Sequence, residues 1–157
     1  MNATREWPGL GCRVILGLVF AAAGLHAAAN PPEEFAAVME AYYILPDRHL
    51  PLLAILIPWG ELILGTFLIA GYLTRACAAA IAGMLALFEA ALLSTQLRGI
   101  PLDHCGCFGS WLTPSPRQAM LLDLVLLGMA AAAFHLGHGR LSLDHWVERG
   151  IDPGGGT

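Results

Sequence analysis

The sequence predicts an all-α integral membrane protein, a bundle of four transmembrane helices with a short amphipathic surface helix between the first and the second. Three observations carry this. The 157 residues are 57% hydrophobic and 13% charged, and the mean hydropathy is +0.64, more apolar surface than a soluble domain of this size can hide. That surface is gathered into four runs, each close to the roughly 20 residues a helix needs to cross about 30 Å of hydrocarbon. The net charge of -4 is small, and the eight basic residues are all arginine and stand singly. They form no basic stripe, which excludes a nucleic-acid-binding surface.

The first run extends from Leu10 to Ala29, with Arg13 near its start. It ends in Ala27-Ala28-Ala29, a signal-peptide-like close, but it is longer than a typical apolar signal core and more membrane helix follows, so it reads as a retained span. Gly17, Ala21, Gly24 and Ala28 make a ridge of small residues along it. Such ridges let helix backbones approach closely in lipid, where no hydrophobic force joins helices. Next, Phe35, Val38, Met39 and Tyr42 recur at i, i+3, i+4 and i+7, with Glu33, Glu34 and Glu40 interspersed, the pattern of an amphipathic helix lying on the membrane surface. Pro31 and Pro32 can open that helix and Pro46 ends it. Tyr42, Tyr43, Trp59 and Trp111 are candidates for the membrane interfaces, where amphipathic rings settle.

The second run spans Leu52 to Leu73, the third Ala76 to Leu97 and the fourth Ala119 to Leu136. Only Gly71-Tyr72-Leu73-Thr74-Arg75 joins the second to the third, so these two are antiparallel neighbours. The membrane domain is expected over residues 1–140, with a C-terminal tail over 141–157 that ends in Pro153-Gly154-Gly155-Gly156. Arginine placement sets the orientation, because cytoplasmic flanks are enriched in basic residues. Arg5, Arg13, Arg75, Arg140 and Arg149 lie on one side, against Arg48, Arg98 and Arg117 on the other. This bias predicts a multi-pass protein with both termini cytoplasmic, the loops around 30–51 and 98–118 facing the oxidising side.

The second of those loops carries Asp103-His104-Cys105-Gly106-Cys107. Two cysteines one glycine apart can close a small strained disulfide ring, and strain makes such a bond exchangeable. Gly106 permits the backbone angles the ring demands, and His104 can favour the thiolate of Cys105, the attacking form. Asp103 stands beside them. The same residues also suit a soft metal such as zinc or copper, or an inert loop, and the spacing leaves these alternatives open. Cys12 and Cys77 fall near the cytoplasmic ends of their helices, where buried packing is expected.

Ionisable residues within the spans are the second signal, since a charge in hydrocarbon costs on the order of 2.5–3.5 kcal/mol or more. Glu61 sits near the middle of the second run, Glu89 just outward of the middle of the third, and Asp123 about one turn into the fourth. His26 closes the set from the outer end of the first. If they face inward, they form a polar cluster beneath the cysteine loop, either as neutral carboxyls bonded between helices or as a proton relay. Cysteine chemistry that feeds a quinone moves protons as well as electrons, which gives a relay its use.

Residues from about Arg13 to Leu136 resemble the MauE family of methylamine-utilisation membrane proteins, within the wider DoxX-like group. The resemblance includes Gly17, Phe20, Ala23-Gly24-Leu25, Phe35, Tyr43-x-Leu45-Pro46, Pro58-Trp59-x-Glu61-Leu62-x-Leu64-Gly65, Gly71, Phe88, Arg98-Gly99 and, most specific, Cys105-Gly106-Cys107-Phe108-Gly109. It departs at Ala27, where the family usually carries lysine, and at Gln118, where asparagine commonly follows the arginine. The resemblance implies a four-helix inner-membrane protein whose Cys-x-Cys loop takes part in disulfide formation or thiol relay, serving maturation of the disulfide-rich small subunit of methylamine dehydrogenase. The expected partners are a periplasmic thiol protein or thioredoxin-like protein, and a quinone can restore the disulfide, so a quinone-linked thiol–disulfide oxidoreductase is the activity class in view. A scaffold or assembly subunit of a respiratory or dehydrogenase complex is the alternative from another class.

Overall fold

The computed structural model describes residues 3–100 and 115–136, with side chains from Trp7 onward. Among the described residues there are five α-helices and no strand: α1 (Ala3–Ala29), α2 (Pro32–Glu40), α3 (Leu50–Ala70), α4 (Thr74–Leu97) and α5 (Pro116–Leu136). A single 3-10 turn, Asp47–His49, leads into α3. Helices α1, α3, α4 and α5 are each long and apolar enough to cross a membrane. The four predicted runs therefore each become one helix.

The helix ends differ from the sequence reading in instructive ways. Helix α1 starts at Ala3 and carries Pro8 inside it, while its apolar window opens at Trp7. Helix α3 stops at Ala70, three residues short of the predicted end, because Gly71 turns left-handed with φ 72°. There the Tyr72 amide donates to the Phe67 carbonyl and the Gly71 amide to the Leu68 carbonyl, the paired closure of a Schellman end. Helix α2 opens at Pro32, as its prolines predict, but ends at Glu40 rather than running on toward Pro46. Tyr43 takes a positive φ of 51°, and Pro46 instead precedes the 3-10 turn before α3.

Around the bundle the order is α1, α3, α4, α5, with α5 closing back on α1. The most extensive packing is α1 on α3, and the ridge on α1 explains it. A methyl group on Gly17 would lie 2.8 Å from the Gly65 carbonyl oxygen, and one on Gly24 would lie 2.5 Å from both the Leu62 nitrogen and the Pro58 oxygen. Gly65 is equally close from the other side, its absent methyl falling 2.5 Å from the Ala21 nitrogen. The two backbones touch along this seam, which is how helices gain van der Waals contact in lipid. Helices α3 and α4 are neighbours, as their short link requires, yet theirs is the lightest contact in the ring.

At the end of the bundle that holds the α3–α4 link and the Gly9–Leu136 contact, Leu16, Phe20, Leu68, Ile81, Leu85 and Leu126 build the main core. At the other end α2 covers the bundle. Met39 packs with Leu50 and Ala54, and Tyr42 with Leu92 and Ala119, while Glu33, Glu34 and Glu40 are exposed. Leu18, Leu25, Leu56, Leu87, Leu121 and Val125 point outward, as side chains that meet lipid tails must. Tyr42 is buried in helix packing, so only Tyr43 of the tyrosine pair is placed as an interfacial ring. Trp59 lies mid-span in α3, about 14 Å from its start at 1.5 Å per residue, which removes it from the interface too. Trp111 lies outside the described residues.

Candidate functional site

Three of the four spans each bring one carboxyl inward. Glu61 of α3 and Asp123 of α5 are 6% and 5% exposed. Both line one small cavity of about 20 Å³, together with Val19, Phe20 and Ala23 of α1, Leu85 and Phe88 of α4, and Leu126 of α5. All four spans thus contribute to a chamber with room for a single water molecule. Tight α1–α3 packing sets its position, because Gly24 lies against the Glu61 turn, its absent methyl only 3.0 Å from the Glu61 Cβ.

Glu89 of α4 is half-buried and close enough to Asp123 for the two carboxyls to act on each other electrostatically. Eight residues separate Glu89 from the end of α4 and seven separate Asp123 from the start of α5, so both lie about 10–12 Å deep. The sequence reading set Asp123 one turn deep; it is two turns deep because α5 begins at Pro116, three residues earlier. Glu89 Oε2 and Asp123 Oδ2 are buried and have no hydrogen-bond partner among the described residues. Such atoms are uncommon in folded proteins and demand a water, an ion or a ligand.

His26 does not line the chamber. It is half-buried at the end of α1, where the Asn30 amide donates to its carbonyl oxygen at 2.9 Å and stands 3.3–3.4 Å from both ring nitrogens. Asp103, His104, Cys105, Gly106 and Cys107 lie outside the described residues. The two other cysteines form no disulfide among the described residues: Cys77 is buried, its Sγ 3.6 Å from the Tyr72 carbonyl, and Cys12 is half-buried. No group of three histidine, cysteine or acidic side chains is placed to hold a metal among the described residues.

Sequence reasoning missed three features. Arg13, counted there as a cytoplasmic flank, is 2% exposed inside the bundle; its position within an apolar run was the available signal. Arg98 is more than an outer charge. Its guanidinium donates to the Tyr42 carbonyl at 2.6 Å and the Tyr43 carbonyl at 3.2 Å, while its Nε reaches the Ser94 carbonyl. This clamps the end of α2 to the end of α4, directly before the cysteine-bearing segment. The third is an apolar cleft of about 310 Å³ between α2, α3 and α4, located where α3 and α4 pack least.

These features define a class: a small four-span helical membrane protein with a carboxyl-lined chamber at its heart and a covering helix at one end. The model of the family described as "Methylamine utilisation protein MauE" matches residues 5–136. The chain belongs to the MauE family. It is similar to a methylamine utilization protein MauE of Paracoccus denitrificans, 35% identical over 121 residues, which covers 76% of this chain and 64% of that protein. The match thus spans just under two thirds of that relative's length. No solved structure matches the chain.

Proposed function

We propose that this chain serves methylamine utilisation, as its family's name implies, by thiol–disulfide exchange at the outer face of the bacterial inner membrane. Its substrate is an exported thiol protein, of which the disulfide-rich small subunit of methylamine dehydrogenase is the leading instance. Both termini are cytoplasmic in this reading. The observation that carries it is the Cys105-Gly106-Cys107 pair in the segment joining α4 to α5, at the end of the bundle from which Glu89 and Asp123 are reached.

The chemistry balances as follows. A substrate thiolate attacks the Cys105–Cys107 disulfide and forms a mixed disulfide; the second substrate thiolate then displaces this chain's sulfur. One S–S bond breaks here and one forms in the substrate, and two electrons stay on Cys105 and Cys107, which take up two protons as thiols. Re-forming the bond needs an acceptor of two electrons and two protons. A membrane quinone, reduced to the quinol, is an acceptor of that class, and a thioredoxin-like disulfide protein is another. Glu61, Glu89 and Asp123 hold and pass the protons, with His26 at the outer margin, and His104 and Asp103 tune the sulfurs.

Alkylation before and after reduction tests the reading. Protein taken from oxidising conditions should label at Cys105 and Cys107 only after reduction, and equal labelling in both states refutes the disulfide. A Cys105→Ser, Cys107→Ser double variant should abolish maturation of the partner. Full maturation with that variant supports the scaffold reading instead.

A further inference from the structure

The chamber between the four spans sets two acids among hydrocarbon. Its other six lining residues are apolar, yet Asp123 is 5% exposed and its Oδ2 has no hydrogen-bond partner among the described residues. The volume of about 20 Å³ exceeds the roughly 10–15 Å³ within which a water molecule can be centred. Spaces of that size stay dry when their walls are wholly apolar and take water when buried polar atoms need it.

We propose that the chamber binds one ordered water joining Asp123 to Glu61, and that protons reach this water from the Glu89 side alone. A water asks for about two to four polar partners, which the two carboxyls supply. A hard metal cation is the competing occupant, but such ions take about six or more oxygens and two carboxyls offer four. No group of three histidine, cysteine or acidic side chains is placed to hold one among the described residues.

The one-sided access follows from register along each helix. Phe20, Leu85 and Leu126 bring α1, α4 and α5 to the chamber wall. One turn from each toward the α3–α4 link stand Leu16, Ile81 and Ala130, and two turns from Glu61 in that direction stands Leu68. All four are 0% exposed and belong to the main core. They form a layer of hydrocarbon with no side-chain group to carry a proton, and Arg13, one turn from Gly9, lies beyond it. One turn from Leu85 in the other direction stands Glu89, half-buried and within electrostatic reach of Asp123. Its Oε2 also has no partner among the described residues, and His26 sits at the same end, beside Asn30. For the thiol-exchange reading, on which only this consequence rests, the site is a proton store that serves the cysteine-bearing end and carries no proton across the membrane.

The test is solid-state NMR of the full chain in phosphatidylcholine bilayers, reading magnetisation passed from water protons to isotopically labelled carbons. Transfer is expected at the carboxyl carbons of Asp123 and Glu61 and not at the side chains of Leu16 and Ile81. Ala23→Val, which thickens the chamber wall, should abolish transfer to both acids, and Val19→Leu should do the same if Ala23→Val fails to fold. Acids that receive no transfer, or transfer that both fillings leave unchanged, overturn the water site. Acid signals that move when sodium replaces choline in the buffer overturn it in favour of a cation site. Vesicles loaded with the pH dye pyranine test the closure: under a potassium diffusion potential, proton entry should match that of protein-free vesicles, and faster entry overturns it. Alkylation of Cys105 and Cys107 in the same samples separates the two readings. Cysteines that cycle with a dry chamber sink the water site alone, and a hydrated chamber with cysteines that never join sinks the thiol reading alone.

Discussion

Gly24→Ala adds one methyl group to α1 and should destabilise the bundle out of proportion to its size. The added carbon would lie 2.5 Å from the Leu62 nitrogen and 2.5 Å from the Pro58 oxygen, both backbone atoms of α3, and 3.0 Å from the Glu61 Cβ. Ordinary contact begins near 3.4 Å, so the helices must part by roughly 0.9 Å at this point. A gap of about 0.5–1 Å forfeits a quarter to a half of the dispersion energy of the atoms it separates. Overpacking of this kind costs about 1–3 kcal/mol. The assay is reversible unfolding in mixed micelles, read by helix content. Gly83→Ala in α4 is the control, because nothing lies within 4 Å of its added methyl, and alanine in a helix interior is favoured over glycine by about 0.8–1 kcal/mol. The two variants should therefore shift stability in opposite directions. If Gly24→Ala is as stable as Gly83→Ala, the seam between α1 and α3 is not the close contact described.

Three further outcomes are expected. Arg98→Ala removes the guanidinium that joins Tyr42 and Tyr43 to α4; its exposure limits the loss to about 1 kcal/mol, so amide exchange over residues 42–45 should quicken about fivefold while helix content stays constant. Asp123→Leu replaces a buried acid whose Oδ2 has no partner among the described residues and should raise unfolding stability by about 1–2 kcal/mol while lowering the thiol turnover that the proposed function requires; a less stable variant means the acid is held by a partner that lies outside the described residues. Glu89→Gln should insert and fold normally yet lose most redox turnover, and unchanged turnover reduces that carboxylate to packing.

The family and the spans were legible early because hydropathy and length belong to each segment alone. Leu52 to Leu73 is apolar whatever surrounds it, and in lipid each helix satisfies its own backbone bonds. Gly17, Ala21 and Gly24 announced a close-packed face for the same local reason. Their partner on α3, the face running from Pro58 to Gly65, did not show, because two small-residue faces become complementary only when the helices are docked. Glu61 and Asp123, 62 positions apart in the chain, announced themselves by the cost of an acid in hydrocarbon, but that they share one chamber is a property of the ring order α1, α3, α4, α5.

Tertiary structure overrode local signals wherever packing competed with them. Helix α2 stops at Glu40 although no proline ends it there, because the chain must turn at Tyr42 and Tyr43 to meet Arg98. Tyr42 leaves the interface for a pocket against Leu92, and Arg13 enters the bundle although its sequence position resembles a flank. The cleft had no sequence signature at all: its lining comes from three separate helices, and each residue alone reads as one more apolar side chain. A sequence can declare which segments leave water, since that is decided by the transfer of one helix at a time. Only the folded bundle decides which faces meet and what space is left between them, since that depends on the shapes of several helices at once.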